Sequence, residues 1–175
     1  MELEKLLAAE HSKKQCDRVV RYIGSDKERF AELMRLFFKG EYRITQRAAW
    51  PLSYVVRAHP ALITPYFKKL LDYLDKPGIH VAIVRNTMRL LQDVEIPSKF
   101  QGRVMSRSFE YVAAPETPIA VRAFSLTVLQ NLSKKYPEIL PELKEIIEAQ
   151  WDQATPAFRS RARKALKAMD RRNPG

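Results

Sequence analysis

The stretch ALITPYFKKLLDYLDKPGIHVAIVRNTMRLLQ, Ala61 to Gln92, decides the fold. Its first half sets Leu62, Ile63, Tyr66, Phe67, Leu70, Leu71 and Leu74 at helical spacing, one apolar stripe on a polar rod. Pro60 starts this helix, since a first-turn N–H has no helical partner to lose. Pro65 falls within its first two turns, where proline is best tolerated. KPG at 76–78 breaks it, and a second helix is predicted from Ile79 to Asp93. Such a pair cannot bury its apolar faces alone; neighbouring pairs must cover them.

The same reading extends in both directions. Leu3, Leu6 and Leu7 open a short helix. Ser12 is placed to cap a second, with Val19, Val20 and Ile23 inside and Gly24 as its stop. Asp26 caps a third, which carries Phe30, Leu33, Met34, Phe37 and Phe38 and ends at Gly40. Helices are then predicted over Tyr42 to Ala58, Pro97 to Ala113, Pro118 to Tyr136, Pro137 to Gln153 and Pro156 to Met169. No stretch alternates convincingly as a strand, so the expected class is all-α.

The pairs repeat. RAAWPLSYV from Arg47, RNTMRLLQD from Arg85, RAFSLTVLQ from Arg122 and RARKALKAM from Arg161 align at intervals of 38, 37 and 39 residues. Each arginine sits in the first half of a helix that follows another amphipathic helix. PEILPELKEIIEAQWDQATPAFRSRARKALKAM is a second clear copy of the opening unit. Over about residues 26–172 this pattern resembles HEAT-like repeats, the helix pairs of armadillo-type solenoids. The resemblance implies a right-handed α-α superhelix of about four to five pairs. It also implies that the recurring arginine braces neighbouring units through the turn between helices. One domain is expected over 1–175, with N-terminal capping helices over 1–25, repeats over 26–154 and a basic C-terminal capping helix and tail over 155–175.

Composition bounds the function. Hydrophobic residues make up 46% and charged residues 29%, which excludes a disordered chain. The formal charge of +11 favours anionic partners. Cys16 is the single cysteine, so no intramolecular disulfide forms and a reducing compartment is expected. No apolar run approaches the roughly 20 residues of a membrane span. MELEKLLAAEHSKK carries acids and resembles neither a secretory nor a transit signal. The expected setting is the cytoplasm and the expected state a monomer.

No catalytic constellation is legible. His11, His59 and His80 lie in separate elements without metal-ligand spacing. Phosphate-binding glycine loops and nucleophile elbows are missing. Glu138, Glu142, Glu145, Glu148 and Asp152 follow one helical face, as a solvated face does. The expectation is therefore no catalytic, cofactor-binding or metal-binding residue, and no cofactor. More distantly, the chain is similar to HEAT-like alkylpurine DNA glycosylases, whose pattern includes a tryptophan followed four residues later by aspartate. Here Trp50 is followed by Tyr54, and a phenol does not supply that anion at neutral pH. Asp93, one repeat on, is the nearest substitute, with nothing around it to select it.

One surface stands out. Arg43, Arg47, Trp50, Tyr54 and Arg57 share a stripe about 80° wide on the helix from Tyr42. Ile44, Ala48, Ala49, Leu52, Val55 and Val56 form its core side, and Pro51 is expected to kink it. Arg85, Arg89 and Gln92 make a shorter polar stripe one repeat later, and Arg122 continues the row. Two readings stay open: an anion-facing groove on a concave surface, or arginines and aromatics packed between repeats as braces. The C-terminal run FRSRARKALKAMDRRNPG is the second basic feature. It sets Arg159, Arg161, Arg163, Lys164, Lys167, Arg171 and Arg172 against Asp170, +6 of the total +11, and pairing with the acidic helix before it is one way to neutralise it. A solvated end cap and a docking site both fit that run. The expected function is a non-enzymatic binding or scaffold module that presents a basic-aromatic concave face to an acidic protein segment. Its partner-binding residues would be Arg43, Arg47, Trp50, Tyr54, Arg57, Arg85, Arg89 and Arg122. Nucleic-acid binding through the same arginines is the alternative.

Overall fold

A computed structural model describes residues 2–171. Ten α-helices run α1 (Glu2–Ala9), α2 (Lys13–Ile23), α3 (Lys27–Lys39), α4 (Tyr42–Ala58), α5 (Phe67–Leu74), α6 (Val81–Leu91), α7 (Ser98–Ala113), α8 (Ile119–Leu132), α9 (Leu140–Ala149) and α10 (Pro156–Asp170), and the described residues hold no strand. The four aligned arginines fall on α4, α6, α8 and α10, the second helix of each pair. The chain forms two compact units, one ending at Glu95 and one beginning at Ile96.

Helix ends follow their local chemistry. The Ser12 hydroxyl accepts from Gln15 N–H at 3.1 Å, and Gly24 closes α2 with φ +50°, a conformation glycine adopts without strain. At Gly40 the cause is crowding instead: an added Cβ would meet the Leu36 carbonyl oxygen at 2.5 Å. Asp26 caps α3, accepting from Glu28 N–H at 2.9 Å and Arg29 N–H at 3.0 Å. The Arg29 N–H contributes most to holding its carboxyl below the usual range. A depressed carboxylate stabilises the fold above the unfolded value of about 3.9, and that contribution is lost as pH falls through the folded value. Asp26→Ser keeps a cap without the titration. In thermal melts from pH 6 downward, the wild-type protein should lose more melting temperature than the variant below about pH 4. Parallel curves would mean that ionisation of the Asp26 carboxyl contributes nothing to stability.

Two segments depart from the expected helices. Pro60–Tyr66 is a 3-10 helix, and α-geometry begins only at Phe67. Pro65, beyond the first turn, lacks the N–H that would bond Ala61 in an α-helix, and α-geometry is delayed until after it. The segment expected to run unbroken from Pro137 to Gln153 is α9 flanked by 3-10 turns at Pro137–Ile139 and Trp151–Gln153. Pro141 inside the first turn again explains the start.

In the first unit α4 is the centre, packing on α1, α2, α3 and α6. Its expected core side is buried throughout, with Ala48, Ala49, Val55 and Val56 at 0% exposure. The small residues let neighbouring backbones approach closely. Pro51 stays within α4, and the Ser53 hydroxyl donates to the Trp50 carbonyl at 2.9 Å beside it. In the second unit α8 takes the central place between α7 and α10. It is apolar on most sides, and Val121, Leu126, Val128 and Leu129 are buried. Cys16 is buried as well, and burial pushes its thiol up to about 11, which leaves almost no reactive thiolate at neutral pH.

Candidate binding groove

The stripe on α4 divides when its neighbours are in place. Arg47 reaches back to α1, and its guanidinium donates to the Leu7 carbonyl at 2.9 Å and the Ala8 carbonyl at 2.6 Å. These are last-turn carbonyls without helical partners, so Arg47 acts as a cap. Arg43 and Arg57, at the two ends, are exposed. Trp50 and Tyr54 are half-buried between them.

Trp50 forms one wall of an open groove of about 340 Å³ within the first unit. Gln46, one turn before it on α4, lies alongside; His11 arrives from the link between α1 and α2; Ala82, Arg85, Asn86 and Arg89 come from α6. The His11 ring sits against Trp50, with centroids 5.4 Å apart and a tilt of 54°. Gln46 and Trp50 are four residues apart on one helix, and Arg85 and Arg89 four apart on the other. Helical spacing thus turns two side-chain rows toward one space. No carboxylate lines the groove among the described residues.

The two groove arginines differ. Arg85 is exposed and has no hydrogen bond or ion pair among the described residues. Arg89 is held in place: it donates to the Tyr54 hydroxyl at 3.2 Å and lies 4.9 Å from that ring's centroid. The Lys13 ammonium also lies against Tyr54, 4.6 Å from the ring centroid. Lys13 is itself bonded to Asp17, whose hydrogen bond raises the ammonium's pKa. Tyr54 is therefore a positioning residue, with two cations against its ring. Asn86 is buried, and its Nδ2 donates to the Ala82 carbonyl at 2.7 Å, which fixes the amide plane at the groove.

Arg122, expected to continue the row, lies elsewhere in chemical terms. It is 6% exposed, bonded to the Gln150 side-chain oxygen and stacked 4.3 Å from the Phe158 ring centroid. Gln150 in turn donates to the carbonyls of Val112 and Ala113 at the end of α7. Burial lowers the Arg122 pKa, although the group stays charged at neutral pH. Arg161 donates to Thr127 at 2.8 Å. Of the four aligned arginines, Arg47, Arg122 and Arg161 thus bond neighbouring helices of their own units, and Arg85 is left to solvent.

His80 caps α6 by accepting from Ala82 N–H at 3.1 Å. No group of three or more potential metal ligands occurs among the described residues. Glu10, which the spacing does not single out, shares with Trp50 the lining of a small cleft of about 10 Å³, large enough for a single water. Gln46, Asn86 and His11 were also missed. Asn86 had a signal, an amide amid the apolar run of α6; His11 had none, because it reaches the groove through tertiary packing.

A family described as HEAT repeat domain matches residues 3–169. No curated protein and no solved structure matches the chain. None of the described helices is long and apolar enough to cross a membrane. Helix pairs, arginine register and the family match over nearly the whole length agree: the chain belongs to the HEAT repeat domain family.

Proposed function

We propose that the protein is a non-enzymatic binding module whose groove in the first unit receives an acidic segment of another protein. The observation that carries this reading is the groove's lining, which sets Arg85, Arg89 and the Trp50 face together without a carboxylate. Guanidinium forks pair with carboxylates in plane. The amides of Gln46 and Asn86 suit peptide groups, and Trp50 offers flat contact area at low entropy cost. The volume is that of a site for a few side chains, not a whole domain. Arg43 and Arg57, exposed at the ends of α4, would extend the charge beyond the groove.

The test is an anisotropy titration of a labelled Glu- and Asp-rich peptide, beside its Gln and Asn counterpart. Wild-type protein should bind the acidic peptide alone. Arg85→Ala with Arg89→Ala should weaken binding at least about 10-fold, since each charge-assisted hydrogen bond contributes about 1.5–3 kcal/mol. Undiminished binding by that variant would remove the groove from the account. Single-stranded oligonucleotide bound in the peptide's place, and lost in the same variant, would transfer the groove to the nucleic-acid reading.

A further inference from the structure

α10 carries a second charged surface, within the second unit. Two of its cations are hydrogen-bonded within their own unit. Arg159 donates to the Trp151 carbonyl at 2.9 Å and the Asp152 carbonyl at 3.0 Å, and Arg161 bonds Thr127. Arg163, Lys164, Lys167 and Arg171 are exposed and form no ion pair among the described residues, although the Arg163 guanidinium lies 5.5 Å from the Trp151 ring centroid. The acids of α9 do not neutralise them: Glu148 pairs with Lys144 on its own helix. Arg172, the last cation of the run, lies outside the described residues.

At about 100° per residue these four cations fall within an arc of about 100°. Phe158, Ala162, Ala165 and Met169 occupy the opposite side and are buried. We propose that this arc binds the phosphate backbone of duplex nucleic acid.

Three considerations select that occupant. An interfacial membrane helix needs a free apolar face, and the apolar face of α10 is buried in its own unit. From Arg163 to Arg171 the helix rises about 12 Å, and one strand of a duplex advances about 3.4 Å along the duplex axis per phosphate. That length spans about three or four base-pair steps, within which four cations on long side chains can each reach a phosphate of the two strands. Both partners are stiff, so the match carries little ordering cost, whereas a flexible acidic segment must be ordered along the row. Asp170 is the one acid on the helix, and it stands at the edge of the arc.

The experiment titrates a labelled duplex of about 20 base pairs at salt concentrations from about 50 to 200 mM. With four phosphates neutralised, log K should fall against log salt with a slope of about −3 to −4. The variant Arg163→Gln, Lys164→Gln, Lys167→Gln, Arg171→Gln should bind at least 10-fold more weakly at low salt, with the slope nearly abolished. All four side chains are exposed, so the variant should keep its helical circular dichroism. A charge-conserving companion, Arg163→Lys with Lys164→Arg, should bind as the wild type does, and the Arg85→Ala, Arg89→Ala protein should keep the slope. No duplex binding at low salt overturns the proposal. So does an unchanged slope in the fourfold variant, loss of binding through Arg85 and Arg89 instead, or displacement of the duplex by poly-glutamate at equal charge.

Discussion

Phe158→Ala should remove about 3–5 kcal/mol of unfolding free energy from the second unit. The ring is fully buried on the inner side of α10, the helix packs on α8, and the Arg122 guanidinium lies over its face. Alanine would leave a void bounded by helices that are tied together by Arg161 and Gln150 and cannot easily close on it. Urea unfolding read from Trp151 fluorescence, in a Trp50→Phe background, isolates this unit. A loss under about 1 kcal/mol would mean that the site collapses around the missing ring and that Phe158 is not the centre of this core.

Arg122 gives the second large effect, and a contrast between two substitutions. Arg122→Ala should cost about 3 kcal/mol, because it opens a space beside Phe158 and leaves the Gln150 oxygen without its donor. Arg122→Met keeps most of the stem volume and removes a buried cation whose Nε has no partner. The Gln150 oxygen loses its donor here too, but the space beside Phe158 stays filled, so this variant should cost about 1–2 kcal/mol, clearly less than alanine. The same urea titration decides. Equal losses would show that the bond to Gln150, and not the packed stem, is what Arg122 contributes.

What the sequence reveals here depends on how local the cause is. The core side of α4 was readable because burial of Ile44, Ala48, Leu52 and Val56 follows from periodicity alone. So were the caps at Ser12 and Asp26, where residue type and position determine the bond. The 3-10 stretch from Pro60 was not, since over seven residues the apolar spacing suits either helix. The arginines show the sharper limit. Arg47, Arg85, Arg122 and Arg161 occupy one register of one repeat, yet three are engaged and one is open. Their fates turn on what comes within reach: a helix end for Arg47, the Gln150 amide for Arg122, a hydroxyl for Arg161, and open solvent for Arg85. No single-sequence pattern encodes those distances. The groove was half legible for the same reason: Trp50, Arg85 and Arg89 stood in their rows, whereas His11 joins them only when α1 and α2 fold against α4.

The boundary between Glu95 and Ile96 has a consequence for descent. Every residue that lines the groove comes before it, and every cation of the α10 arc comes after it. Mutations that retune one surface therefore leave the other's side chains untouched. Selection can change the preference of either half while the other is inherited intact.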